Sequence, residues 1–257
     1  MKKNLQCLRG LLNDQVDLSK IQVMQIFYAP GIKGKTHVLD ENESKHCIRV
    51  LRMRRGTIVR LIDGKGNLYE GYISDPDPKN CGITITDVIN DFERRNYRLH
   101  IAISPLKNPE RFEWFVEKSV EIGIDEITPI ICRNTEKSGL KPDRINNLII
   151  SAMKQSIKTD KPVLNIPRTF ADFVMLDLSG IRMMAHCNDI SGKNKIDQVY
   201  LKGNDAVILI GPEGDFSQEE IKLATENGYL PIHLGSSRLR TETAGIAACH
   251  SVYFINQ

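Results

Sequence analysis

The sequence predicts an α/β protein in two parts, a small β-barrel followed by a larger domain with a parallel sheet. Three observations favour this architecture. Short strand-like runs separated by turns fill residues 24–92, strand-like and helix-like runs alternate over 96–257, and glycine-containing loops follow several of the later strands. Residues 1–23 have no sustained hydrophobic period, and we interpret them as an N-terminal extension for which disorder is one candidate state.

The first part contains four strand-like runs and one short helix. The helix is predicted around 43–51. Turn residues separate the strands: Gly64-Lys65-Gly66 is typical of a hairpin, and a proline-rich break covers 75–78. The strands are predicted at 24–30, 57–63, 67–74 and 82–89. Short strands with so little helix favour a barrel.

The second part alternates strands with amphipathic helices, which favours a parallel sheet with ligands at the carboxyl ends of its strands. The strands are predicted at 98–106, 125–133, 181–187, 206–211 and 230–235, and the helices at 108–123, 142–158 and 218–227. Ser217 and Glu220 have the spacing of a capping box, so the last of these helices begins after Ser217 and ends at Gly228.

Charge is unevenly distributed along a chain whose formal net charge is only +3. Residues 44–61 include six basic side chains and no acidic one. Such a run is either a solvated surface or a patch that faces phosphate, because the repulsion among like charges is relieved when an anion binds near them.

The cysteines and histidines do not predict a metal site. The six cysteines are widely spaced without a CxxC pair, which argues against a zinc ribbon and suits a reducing cytoplasm. The six histidines have no ligand-like spacing with them. No apolar run is long enough to cross a bilayer, so a membrane is not expected as a partner. The spacing of the cysteines and histidines likewise gives no reason to expect a metal.

Three loops at strand ends are predicted to wall one pocket. They follow the strands at 181–187, 206–211 and 230–235. The second loop, Gly-Pro-Glu-Gly, has the carboxylate Glu213 between two glycines. The third loop, after the strand at 230–235, presents Arg238 and Arg240 before a helix that begins with small residues. No GxGxxG, GxxxxGK[ST] or GxSxG pattern follows a predicted strand, which disfavours a dehydrogenase, a P-loop enzyme or an α/β hydrolase.

Five motifs together resemble the RsmE family of ribosomal RNA methyltransferases in the SPOUT superfamily. They are SKHCIRVLRMRRG, EKSVEIGIDEITPI, AMKQSIK, LIGPEGDFSQEE and LGSSRLRTETA, in family order and spacing from about residue 24 to the end. The resemblance implies a PUA-like barrel and a SPOUT α/β domain with a C-terminal trefoil knot. It also implies a cytoplasmic homodimer that transfers a methyl group from S-adenosyl-L-methionine to N3 of a uridine, uridine 1498, in 16S ribosomal RNA of the small subunit.

This sequence departs from the family pattern at two loops. Asp215 stands where the family usually has glycine, and Ser236, Ser237 and Arg238 replace a Pro-Arg-Ile segment, which displaces the arginine by one position. These departures keep an alternative open, namely a non-catalytic RNA-binding protein with a degenerate methyltransferase domain.

The resemblance and the loop pattern together give the candidate site residues. The catalytic candidates are Arg240, to stabilise negative charge on the uracil, and Glu242 or Glu213, to accept the N3 proton or hold a water that does. The cofactor candidates are His186, Asn188, Ile210, Gly211, Gly214, Leu234, Gly235, Ser236, Leu239 and Thr241. The RNA candidates are His46, Arg49, Arg52, Arg54 and Arg55.

The same side chains also have purely structural interpretations. Arg240 and Glu242 are also spaced for a structural ion pair, and Glu213 is also placed to accept loop backbone N–H groups. Trp114 is predicted to pack at a domain or subunit contact.

Overall fold

The computed structural model describes residues 25–136, 139–187 and 193–257. The predicted extension at 1–23 and the candidate Asn188 lie outside these residues. The described residues form two units, the first made of 25–61 and 68–88 and the second of 62–67 and 89–257. No helix among them combines the length and apolar character that a bilayer crossing requires.

The first unit is a five-stranded sheet with one helical segment. Its strands are β1 (Ile26–Tyr28), β2 (Thr36–Val38), β3 (Ile58–Ile62), β4 (Leu68–Asp75) and β5 (Gly82–Ile89), in the order β1-β3-β4-β5-β2. Phe27, Leu61 and Ile83 are among the buried side chains of its core. Helix α1 (Glu41–Lys45) begins at Asp40, whose side chain accepts a hydrogen bond from the Glu43 N–H.

The predicted basic helix differs from an ordinary α-helix in its second half. After α1 the chain continues as a π-helical turn over His46–Val50, and it ends where Arg52 has a positive φ of 55°. Wider π-helical turns rotate successive side chains differently from an α-helix, so hydrophobic spacing alone did not indicate one.

The second unit is a parallel sheet with helices between its strands. Its strands are β6 (Leu99–Ile103), β7 (Glu126–Ile131), β8 (Val163–Leu164), β9 (Arg168–Thr169), β10 (Ile181–Ala185), β11 (Asn194–Lys195), β12 (Ala206–Ile210) and β13 (Leu230–His233). Their order is β11-β13-β10-β12-β6-β7-β8, and β9 pairs with β7. The strands β6 and β12 are buried along their whole length, as expected for a sheet covered on both faces.

The helices of the second unit begin and end where the sequence predicts for the longer ones. They are α2 (Pro109–Ile122), α3 (Pro142–Ser156), α4 (Phe170–Val174), α5 (Ile196–Val199), α6 (Gln218–Glu226) and α7 (Thr241–Ile255). Asn108 caps α2 and Gly123 ends it with a φ of 120°. Ser217 and Glu220 form the predicted capping box at the start of α6.

Candidate functional site

Three loops at the carboxyl ends of neighbouring parallel strands line one cavity. Strand β10 pairs in parallel with both β12 and β13, so the segments that follow these strands emerge at the same edge. The cavity has a volume of about 770 Å³, which is within the range of small-molecule sites. The cofactor candidates that line it are His186, Ile210, Gly211, Gly214, Leu234, Gly235, Ser236, Leu239 and Thr241.

The Gly-Pro-Glu-Gly loop after β12 has glycines where an added side chain would be tightly packed. A Cβ on Gly211 would lie 3.0 Å from the ring of Phe216, and one on Gly214 would lie 3.1 Å from Cβ of Asn134. The Asn134 side-chain amide donates to the carbonyl oxygens of Gly214 (3.1 Å) and Asp215 (3.0 Å). The loop after β7 therefore holds the cavity loop by its backbone.

Glu213 is exposed and lines the cavity. Its carboxylate accepts a hydrogen bond of 3.3 Å from the backbone N–H of Lys107, which lies between β6 and α2. This contact agrees with the interpretation of Glu213 as an acceptor for loop backbone. Because one such bond leaves the other carboxylate oxygen available, it does not occupy the whole group.

The loop after β13 brings two arginines to the cavity. Gly235 has a φ of +117°, a region that glycine adopts without strain, and the loop then turns toward α7. Arg238 and Arg240 both line the cavity, and Arg240 is the residue immediately before α7. Arg238, which is displaced by one position from the arginine of the family pattern, thus still lies in the cavity wall.

Glu242 is enclosed by protein rather than exposed to the cavity. It is 5% exposed and is not among the residues of the cavity wall. Its Oε1 lies 3.8 Å from Nε of Arg111, and among the described residues its Oε2 has no hydrogen-bond partner. The structural ion pair with Arg240 that the sequence allows does not form among these residues, and Arg111 takes that place.

Arg111 is a cavity residue that the sequence analysis missed. It lies in the first turn of α2 and contributes to the cavity wall while it approaches the buried Glu242. An arginine in an amphipathic helix is usually a surface residue, so only the packing of α2 beside α7 reveals its position. That packing is close, since a Cβ on Gly245 would lie 2.6 Å from the ring of Phe115.

The five RNA candidates of the first unit are exposed, and they extend from the π-helical turn to the start of β3. They are His46, Arg49, Arg52, Arg54 and Arg55. Arg55 donates from Nε to the carbonyl oxygen of Ser74 at 2.7 Å, which fixes the direction of its side chain. Arg49, Arg52 and Arg54 form no ion pair with a described residue, so their charges are uncompensated at the surface. We call these five residues the basic surface.

A metal centre is not evident in the described part of the chain. No group of three or more histidine, cysteine, aspartate or glutamate side chains among residues 25–136, 139–187 and 193–257 is arranged to hold a metal ion.

Comparison with known proteins assigns the family. The RNA methyltransferase domain family matches residues 93–253, and the RNA methyltransferase PUA domain matches residues 39–86. The first match covers more than half of the chain and includes all three cavity loops. This chain belongs to the RNA methyltransferase family. The predicted resemblance to the RsmE family is therefore confirmed, as is the combination of a PUA-like domain with a methyltransferase domain.

Individual relatives support this assignment. The crystal structure of a probable rRNA-methyltransferase from Porphyromonas gingivalis is 38% identical, with a TM-score of 0.84 over 91% of this chain and 98% of that one. A ribosomal RNA small subunit methyltransferase E from Neisseria gonorrhoeae, solved bound to S-adenosyl methionine, is 25% identical, with a TM-score of 0.80 over 90% and 98%. The protein of the same name from Rickettsia conorii is 24% identical over 85% of this chain and 89% of its own length.

Proposed function

We propose that this RNA methyltransferase transfers a methyl group from S-adenosyl-L-methionine to N3 of a uridine in small-subunit ribosomal RNA, uridine 1498 in the family's 16S substrate. The observation that carries the proposal is the single cavity at the ends of β10, β12 and β13, which combines glycine-rich backbone with Arg240 and Glu213. The matching relatives named ribosomal RNA small subunit methyltransferase E support the substrate.

The cavity suits a cofactor made of adenosine and methionine. Its volume is in the range for drug-sized ligands, and Gly235, where an added Cβ would meet nothing within 4 Å, lets such a ligand approach the backbone closely. We assign Gly211, Leu234 and Leu239 to the adenosine part. The structures from Neisseria gonorrhoeae and Legionella pneumophila are both described with this cofactor bound. When bound, it supplies an electrophilic methyl group on a sulfonium.

The residues of the cavity would prepare the uridine for methylation. N3 of uracil is an imide nitrogen, so it needs to lose its proton, and negative charge then develops on O2 and O4. Arg240 is suited to stabilise that charge, and Arg111 lines the same cavity. For the proton, Glu213 is better supported than Glu242, because Glu213 lines the cavity and Glu242 is buried outside its wall.

The first unit would hold the RNA. The basic surface presents four arginines without carboxylate partners among the described residues, and arginine suits phosphate because it forms paired hydrogen bonds. A uridine that is methylated at N3 cannot be paired during the reaction, so the base needs to leave its stack. A ribosomal substrate is consistent with a cytoplasmic location.

A homodimer is also part of the proposal. The outer side of α7 carries aromatic residues at the surface: Phe254 is 69% exposed and stacks on His250, with ring centroids 6.1 Å apart. Trp114 on α2, which packs beside α7, is 45% exposed. Exposed aromatic side chains on two packed helices are typical of a subunit interface. Light scattering of Phe254→Glu against the wild type would test it, with monomers expected for the variant.

We further propose that the C-terminal segment passes through a trefoil knot, as the family resemblance implies. Knots are rare in proteins, and a knot shortens the length to which the chain can be stretched. Stretching the unfolded chain from both ends in an optical trap is expected to stop short of the full contour length, because a knot tightens. Full extension would contradict a knot.

The decisive experiment uses small ribosomal subunits that lack the methyl group. Incubation with the protein and S-adenosyl-L-methionine, followed by reverse transcription, is expected to give a new stop at one uridine, because an N3 methyl blocks base pairing. Arg240→Ala provides the control for catalysis. Absence of any stop, or a stop at another base, would overturn the assignment of the substrate.

The alternative of a non-catalytic RNA-binding protein makes a different prediction. A degenerate domain would not bind the cofactor, whereas we expect titration calorimetry to detect binding of S-adenosyl-L-methionine to the wild-type protein. The intact cavity, with arginine retained in the loop after β13, disfavours this alternative.

A further inference from the structure

Asp215 is in a backbone conformation that favours glycine. Its φ is 62°, in the left-handed region, where a non-glycine residue is uncommon although aspartate tolerates it better than most. The residue closes the Gly-Pro-Glu-Gly loop and lines the cavity. A residue kept there in spite of this preference needs a compensating interaction.

The compensating interaction is made by the carboxylate. Its Oδ2 accepts a hydrogen bond of 2.7 Å from the backbone N–H of Cys187, and its Oδ1 accepts one of 2.8 Å from the N–H of Phe216. Cys187 follows β10 and also lines the cavity. One side chain therefore joins two of the three segments that form the cavity wall.

We propose that Asp215 is a positioning residue, a latch that holds the loop after β12 against the segment after β10 and so fixes the cofactor-binding wall. The inference rests on the proposed function, because it concerns the site assigned to S-adenosyl-L-methionine. Glycine at this position would leave the backbone conformation unstrained but would provide no link to Cys187. The latch is thus a property of this sequence rather than of the loop motif.

A role for the negative charge itself is the competing explanation. A carboxylate in the wall could attract the sulfonium cation directly. The geometry favours the latch, because each carboxylate oxygen already accepts a short hydrogen bond from a backbone N–H group. The two explanations predict different affinities of an Asp215 variant for a ligand that lacks the sulfonium charge. S-adenosylhomocysteine fills the same space without the sulfonium charge.

The test compares Asp215→Gly and Asp215→Asn with the wild type, by calorimetry with both ligands and by thermal unfolding. For Asp215→Gly we expect affinity for S-adenosyl-L-methionine and for S-adenosylhomocysteine to fall equally, by about tenfold, the effect of one lost charged hydrogen bond. We expect its Tm to change little, because the backbone strain that glycine removes offsets the two hydrogen bonds that are lost. Asp215→Asn keeps one acceptor oxygen and should lose affinity by less.

Hydrogen exchange gives a direct reading of the latch. The Cys187 amide should exchange faster in Asp215→Gly than in the wild type, both without ligand. Asp77→Asn is a matched control, since Asp77 also accepts backbone N–H bonds, from Lys79 and Asn80, but in the first unit. It should leave both affinities unchanged.

Each other outcome would overturn the inference in an identifiable way. Wild-type affinity in Asp215→Gly would mean that the latch does not contribute to cofactor binding. A loss of affinity for S-adenosyl-L-methionine but not for S-adenosylhomocysteine would mean that the Asp215 charge attracts the sulfonium directly. A lowered Tm in both variants would indicate a general structural role. Failure of the wild type to bind either ligand would instead overturn the proposed function, which the wild-type titration reads separately.

Discussion

The cavity of the second unit and the basic surface of the first unit differ in what defines them. Backbone defines the cavity: Gly211 and Gly214 are tightly packed, with 3.0–3.1 Å from an added Cβ to the nearest neighbour, and Asn134 holds their loop by its carbonyl oxygens. Side-chain charge defines the basic surface, where Arg49, Arg52 and Arg54 are exposed and unpaired among the described residues. The first arrangement depends on shape and the second on charge, so the two should respond differently to mutation and to salt.

The largest effect is expected in the cavity, from Arg240→Ala. Because this arginine would stabilise charge that develops only during methyl transfer, its loss should lower turnover by about 100-fold at saturating cofactor. Cofactor affinity should change little, and added salt should not restore or deepen the loss. Single-turnover methylation of small subunits measures the rate. A wild-type rate would remove Arg240 from the chemistry and would weaken the contrast between the two regions.

The basic surface should respond in a graded way. Arg49→Ala, Arg52→Ala and Arg54→Ala combined should weaken binding to small ribosomal subunits by more than tenfold at low salt. Each lost phosphate contact should reduce the slope of log affinity against log salt by roughly 0.7–0.9.

The control for the basic surface removes three other exposed cations of the first unit, Lys33, Lys35 and Lys79. If these lysine variants have the same effect as the arginine variants, total charge rather than the basic surface determines RNA binding. Cofactor affinity should be unchanged in both sets.

A single methyl group should test the shape-based side of the comparison. Gly211→Ala places a Cβ 3.0 Å from the Phe216 ring, so the ring or the loop has to give slightly, and we expect affinity for S-adenosyl-L-methionine to fall by about tenfold. Gly139→Ala is the matched control, because its Cβ would meet nothing within 4 Å. Calorimetry that shows equal affinity for the two variants would mean that the loop is more adaptable than its packing suggests.

The smallest effect concerns the protonation of His100, a buried residue of β6. Burial lowers the pKa of His100, and the opposing influence of Glu126, whose Oε2 lies 3.8 Å from Nδ1, does not reverse it. The unfolded chain then binds this proton more readily, so stability should fall as the pH drops below about 6.5. His100→Gln should show a flatter dependence in chemical denaturation between pH 7.5 and 5.5. An identical slope in the variant would assign the dependence to other groups.

Local chemistry made much of the fold predictable. Asn108 and Gly123 bound α2, and the spacing of Ser217 and Glu220 set the start of α6, because caps act within one turn of the chain. The elements that were missed are short, such as β2, α4 and α5, each with five residues or fewer. Segments of that length do not complete a hydrophobic period, and tertiary contacts decide them.

The site was predictable to the same extent. Loops at strand ends indicated the cavity, since parallel strands bring their carboxyl ends together. Arg111 was not predicted because it belongs to another segment and reaches the cavity only through packing, and Asn134 was not predicted because its bonds to the carbonyl oxygens of Gly214 and Asp215 depend on the fold. The geometry of Asp215 was equally hidden, because a sequence shows which residue is unusual but not which backbone N–H it meets.

Cys187 gives the cavity a chemical handle. Its thiol side chain is exposed, whereas the other cysteines of the described residues, Cys47, Cys81, Cys132 and Cys249, are buried, and burial raises the pKa of Cys249 to about 12. Once Cys7, which lies outside the described residues, is replaced by serine, a maleimide dye should attach selectively at the cavity wall. Its fluorescence would then follow ligand arrival and departure in real time, without RNA and without turnover.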